Sequence, residues 1–216
     1  MGATFSTREI EASLREFSSR FTEINDTLAM RREVFTAGMV EQIIEGYEFL
    51  NSLLVKGMDL FTPAGLNALL EMNHLVLCGS DRRTRTQYYE HLSETRKSFL
   101  KKIRPIKDWV LARKESEDPF RLATGFYTQV LSHPQLFLEG NHRTGNILLN
   151  YLLVSRGTPP YVVSVRTARA YLDLSGEIKF TAKDKSLNSI RMAGHRKRFA
   201  QFLQESVDPV YLGGES

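Results

Sequence analysis

A single cysteine in 216 residues leaves no internal disulfide, so a hydrophobic core must carry the fold and a reducing compartment suits the chain. Cys78 lies among apolar neighbours in HLVLCGS, where it reads as a buried thiol rather than a nucleophile. Long apolar runs are equally scarce. The longest, such as LNALL and ILLNYLLV, fall far short of the ~18–20 residues of a membrane span, and no early apolar stretch reads as a secretory signal. A cytoplasmic protein is expected, without membrane attachment. The Met-Gly-x-x-x-Ser start, with Gly2 as acceptor, fits an acylation pattern, but one acyl chain holds a membrane only marginally. Repeats and low-complexity tracts are absent, and 42% hydrophobic with 25% charged residues excludes a mostly disordered or fibrous chain. A net charge of +4 permits phosphates or acidic partners and selects neither.

What is present is helical periodicity. Met39, Val40, Ile43, Ile44, Tyr47, Leu50 and Leu54 recur at helical spacing from about Thr36 to Val55. Thr62-Pro63 has the form of an N-cap with proline at the first helical position, and Leu66 to Leu77 continue a second helix. A thinner stripe, Ile10, Leu14, Phe17, Phe21 and Leu28, predicts a helical extension over Thr7 to Arg32. SDRRTRT at 80–86 reads as an exposed loop or short hairpin, and the basic run from Arg96 to Arg104 as a solvated face ending at Pro105. Residues 112–119 read as a long surface loop, Pro119 opens another helix, TPPYVVS reads as a turn into a short extended piece, and a last helix carries Ile190, Met192, Phe199 and Phe202. The expected division is an extension over 1–35, a main domain over 36–206 and a tail over 207–216. His195 and its basic neighbours lack interleaved aromatics, so nucleic acid is not the expected partner.

The segment SHPQLFLEGNHRTGN at 132–146 carries the chemistry. His133-Pro134 ends one helix, and Ile147, Leu148, Tyr151, Leu152 and Val154 belong to the next. Gly140-Asn141 therefore falls where backbone N–H groups lack intrahelical partners, which makes an anion site. Glu139 adds a carboxylate suited to Mg²⁺, and Arg143 a fork of donors matched to phosphate oxygens. A magnesium-bound nucleotide satisfies all three; a plain helix start with a Glu139–Arg143 ion pair satisfies two.

On Phe137, Glu139, Gly140, Asn141, Arg143, Thr144 and Gly145 the sequence resembles the Fic (Fido) family, whose signature is His-x-Phe-x-Asp/Glu-Gly-Asn-Gly-Arg between two central helices. The resemblance implies an all-α fold, a helical bundle around a central helix–loop–helix, with 80–87 as a short β-hairpin flap. It implies ATP or another nucleotide with Mg²⁺, and transfer of AMP, or of another phosphate-bearing group, to a Ser, Thr or Tyr hydroxyl of a protein substrate. Glu139 would hold the metal, Gly140, Asn141, Arg143 and Gly145 would serve the phosphates, and Phe137 would anchor the loop. Gln135 stands at the position of the family's catalytic histidine, and an amide cannot take the hydroxyl's proton. If Gln135-Leu136 is an insertion, His133 is the base. His142 replaces the second glycine and is expected to act as a neutral hydrogen-bonding group, and Asn146 stands where many members place a second arginine. No glutamate has the Ser/Thr-x-x-x-Glu-Gly/Asn context of the family's inhibitory helix, so regulation would need a separate partner. The alternative reading is a catalytically impaired nucleotide- or phosphate-binding module, or a basic adaptor on the same scaffold.

Overall fold

A computed structural model describes residues 3–182 and 188–213. Gly2, on which the acylation pattern rests, lies outside them, as does the stretch 183–187 before the last helix. The described chain is all-α. Its helices are α1 (Thr7–Ser19), α2 (Phe21–Asp26), α3 (Ala37–Val55), α4 (Pro63–Cys78), α5 (Arg82–Gln87), α6 (Tyr89–Leu111), α7 (Pro119–Leu131), α8 (Asn141–Val154), α9 (Ala168–Lys179) and α10 (Asn188–Ser206). Two short strands, β1 (Thr4–Phe5) and β2 (Leu212–Gly213), pair antiparallel and tie the chain ends together.

Local chemistry explains the helix starts. The Thr36 and Thr62 hydroxyls accept from Met39 N–H at 3.2 Å and Gly65 N–H at 3.1 Å, and Asp118 caps α7 through Phe120 and Arg121. Pro63 and Pro119 occupy first-turn positions, where their missing N–H costs nothing.

Helix α8 is the axis of the bundle. It is buried on nearly every side from Ile147 to Val154, as a helix enclosed by others must be. α7 packs along it closely because position 145 is glycine: a Cβ there would stand 3.1 Å from the Tyr127 ring. α3 and α4 cover another side of α8, while α10 packs on α7 and α9 through Phe199, whose ring stacks on Tyr127 at 4.9 Å. One buried carboxamide joins three of these parts. Asn150 donates to Tyr47 Oη at 2.8 Å and to Tyr161 C=O at 2.7 Å, and its Oδ1 accepts from Tyr161 N–H at 2.8 Å. That bracket holds the 158–164 segment, expected to be extended, without a strand partner.

The N-terminal extension shares the core of the main body. Ile10, Leu14, Phe17 and Phe21 are buried in it, and Phe5 meets Tyr47 edge to face at 5.0 Å. Two expectations are corrected. The stripe over Thr7 to Arg32 is not one helix: helical structure ends at Asp26, because Asn25 turns back and brackets Arg32, accepting its N–H at 2.7 Å and donating to its C=O at 3.1 Å. The supposed hairpin flap at 80–87 is instead α5, whose first turn is capped by Asp81 accepting from Thr84 N–H at 2.7 Å. The basic run from Arg96 to Arg104 lies on α6, which continues through Pro105 to Leu111. Cys78 is buried as read, and burial pushes its thiol pKa up.

Replacing Asn150 by Ala would leave a buried N–H, a buried C=O and the Tyr47 hydroxyl without their partner. The expected loss is about 2–4 kcal/mol. Urea unfolding midpoints at an unchanged slope would check it.

Candidate functional site

The loop between α7 and α8 is shaped by the first side chain of α8. Asn141 Oδ1 accepts from Phe137 N–H at 2.9 Å, and its Nδ2 donates to Phe137 C=O at 2.9 Å and reaches Gln135 Oε1 at 3.4 Å. This two-way bracket copies a strand pairing and closes 137–141 into a ring. Phe137 is buried beneath it, stacked on Phe99 at 5.5 Å between centroids. Gly140 turns the chain with φ of 73°, a left-handed conformation that side chains disfavour. From α4, the buried Asn73 amide donates to Glu139 C=O at 3.0 Å and to Thr144 Oγ1 at 3.1 Å. The ring is therefore held from both sides, and the first N–H groups of α8 point outward from a fixed position.

These N–H groups open on a cavity of about 590 Å³, lined by Gln135, Glu139, Gly140, Asn141, His142, Arg143 and Asn146. Phe137 and Gly145 do not line it; one supports the loop and the other packs on Tyr127. The opposite wall comes from residues 30–35 and from the C-terminal end of α9. Its apolar part includes Phe17, Phe21, Phe35, Met39, Ile43 and Val163.

Arg143 donates from Nη1 to Val76 C=O at 2.7 Å, with Gln42 Oε1 at 3.4 Å. Burial lowers its pKa, and the charges of Glu139 and Glu33 oppose that shift, so a guanidinium stays charged at the cavity. Glu139 is largely exposed, 65% for its side chain, with Oε2 3.9 Å from His91 Nε2. No cluster of three or more His, Cys, Asp or Glu capable of holding a metal occurs among the described residues. A lone carboxylate still fits Mg²⁺, which is commonly bound by one or two carboxylates together with substrate phosphates.

His133, the candidate base, and Gln135, at the family histidine's position, part company. His133 is exposed, makes a backbone bridge with Ala182, and is not part of the cavity lining. Gln135 does line it, donating from Nε2 to Leu131 C=O at 3.1 Å while its own C=O accepts from Lys102 at 2.7 Å. His142 also faces the cavity from α8. Its Nδ1 lies 3.4 Å from Tyr127 Oη, which pairs with Tyr171 Oη at 2.9 Å, and its Nε2 is covered without a partner. Burial first, then the charges of Arg32 and Lys179, push its pKa down to about 3. The imidazole is therefore neutral, as expected. Arg32, Lys179, Glu33, Gln42 and Asn73 reach the site from distant segments, and no local pattern in the sequence marks them.

The chain is similar to curated proteins. It is 30% identical over 189 residues to protein adenylyltransferase fic-1 of Caenorhabditis elegans, covering 78% of this chain and 36% of that protein. Protein adenylyltransferase Fic of Nematostella vectensis is 25% identical over 60% of the chain and 31% of its own length. The Caenorhabditis briggsae fic-1 adenylyltransferase is 28% identical over 70% and 33%. The chain thus spans about a third of the length of the curated relatives it matches. No family model and no solved structure matches it.

A depressed histidine has a consequence in acid. The folded value near 3 lies below the ordinary ~6.5, so between these pH values the unfolded chain takes up a proton that folded His142 refuses. Stability should fall as pH drops through that window, by at most about 1.4 kcal/mol per pH unit. The His142→Gln variant should show a shallower decline, measurable by urea unfolding between about pH 7 and about pH 4.

Proposed function

The chain belongs to the Fic family, and from that premise we propose that it binds a magnesium-loaded nucleotide in the α8 cavity and transfers AMP to a hydroxyl of a protein substrate. The observation that carries this reading is the ring closed by Asn141, which aims the free N–H groups of α8 into a cavity bordered by Arg143 and Glu139. Phosphoryl-type transfer depends mainly on such fixed positive groups, because the protein has little covalent chemistry to perform. The substrate hydroxyl oxygen forms a bond to the α-phosphorus, the bond from that phosphorus to the oxygen bridging to the β-phosphate breaks, pyrophosphate leaves and the hydroxyl proton passes to water.

Each residue has a role in that step. The α8 N–H groups and Arg143 bind and neutralise phosphate oxygens. Glu139 would hold Mg²⁺, which when bound neutralises phosphate charge. Asn141 positions the loop, since its own amide is committed to Phe137. His133 stands outside the cavity lining, so this reading gives it no part in taking the proton. Gln135 cannot, so the reaction proceeds without the general-base factor of about 10²–10⁴. The enzyme is accordingly slow.

A second reading follows from Gln135 being bonded at its amide: a module that binds nucleotide without turnover. One experiment separates the two. Label transfer from α-labelled ATP to lysate proteins should occur in the wild type, fall about 10²–10³-fold in Arg143→Ala, and be unaffected in His133→Ala. Gln135→His should raise it by about 10²-fold. If ATP binds but neither the wild type nor Gln135→His transfers label, the module reading replaces the transferase.

A further inference from the structure

Helix geometry sends His142 and Arg143 to different sides of the α8 N-terminus, since successive residues are about 100° apart. Arg143 turns toward α4, bonding Val76 C=O, while His142 turns toward Tyr127 on α7. On the His142 side stand two cations from outside the motif, Arg32 and Lys179, both lining the cavity. Neither has a carboxylate within ion-pair distance among the described residues, whereas neighbouring Arg31 pairs with Asp26 at 3.0 Å. Arg32 donates from Nη2 to Leu172 C=O at 2.6 Å, and its Nε is covered with no acceptor. Lys179 rests 5.5 Å from the Phe180 ring centroid.

The guanidinium has been given a fixed place. Asn25 brackets the Arg32 backbone, and Gly176 leaves room for the side chain, since a Cβ there would collide with Arg32 Nη2 and stand 3.2 Å from Met30 Cε. Holding two half-buried cations on one cavity wall with no carboxylate in ion-pair distance among the described residues is costly, and buried donors are normally satisfied. A water could accept from Arg32 Nε–H but would cancel no charge. An anion does both.

We propose that Arg32 and Lys179, beside the unpartnered His142 Nε2, form a second anion subsite of this cavity, which takes a phosphate group of the bound ligand on the side away from Arg143. The inference rests on reading the cavity as a phosphate-ligand site and does not require turnover. It also supplies, from α9 and the segment after α2, the positive charge that neutral Asn146 does not.

Calorimetric titration with Mg-ATP, inorganic pyrophosphate and adenosine tests it, using wild type, Lys179→Gln, Arg32→Gln, the double variant and Gly176→Ala. The double variant should weaken ATP by about 10–100-fold and leave adenosine within about twofold, as loss of charge-assisted phosphate contacts requires. Gly176→Ala, which displaces the guanidinium without removing it, should weaken ATP in the same direction. Pyrophosphate that shows the same dependence would assign the subsite to phosphate alone, and dependence seen with ATP only would assign it to the nucleotide; both support the proposal. ATP affinity that survives the double variant but falls in Arg143→Ala overturns the subsite and leaves the proposed function standing. Dependence on Arg32 and Lys179 without any label transfer keeps the subsite and removes the transferase. A wild type that binds neither ATP nor pyrophosphate overturns the subsite outright. Thermal unfolding of each variant identifies any that fails to fold, in which case Lys179→Gln, whose side chain makes no hydrogen bond among the described residues, carries the comparison.

Discussion

The side chain of Asn141 fixes the geometry on which the rest of the site depends. By accepting from Phe137 N–H and donating to Phe137 C=O, it converts an irregular connection into a closed ring at the mouth of α8. The ring is made of polar groups in a buried place, so each must be paired, and this pairing leaves one arrangement rather than several. What the α7–α8 side of the cavity presents follows from it. The α8 N–H groups point outward, Glu139 stands at the edge, and Arg143 lies one turn inside with its guanidinium braced against α4.

Charge around the cavity is divided between two sides. Arg143 has Glu139 and Glu33 close enough to favour its charged form, so its side of the cavity is partly compensated. Arg32 and Lys179 make no ion pair among the described residues, and the same two charges help keep His142 neutral. An anionic ligand would be drawn to both but held by different chemistry on each, through a helix N-terminus on one and through side-chain cations on the other. The missing imidazole at position 135 is a separate matter, because it concerns proton transfer rather than binding. A site can retain affinity in full while losing the group that speeds the chemical step.

Much of the fold was legible in the residues. Apolar spacing from Met39 to Leu54, the Thr62-Pro63 and Asp118-Pro119 starts, and the apolar run of α8 each signal a helix through local chemistry, and the structure has helices there. The differences came where one polar side-chain contact, which the spacing of apolar residues does not register, decided the backbone. The stripe ending at Leu28 continues a helical pattern, yet Asn25 reaches Arg32 and ends the helix early. At 80–87 the polar, basic composition suggested a loop or hairpin, and Asp81 capping its own first turn made a helix instead.

The sequence by itself determined the helical class, the place of the turn before α8, and the residues of α8 that border it, because helix starts and turns are built from neighbours a few positions apart. Tertiary structure alone decided which side chains share the cavity. It put His133 outside the lining and Gln135 within it, gave Asn141 to the loop rather than to a ligand, and brought Arg32 and Lys179, 147 positions apart in the numbering, to one wall beside His142. Such meetings depend on how α2, α8 and α9 pack, and packing is fixed by the whole core at once, which no short stretch of sequence encodes.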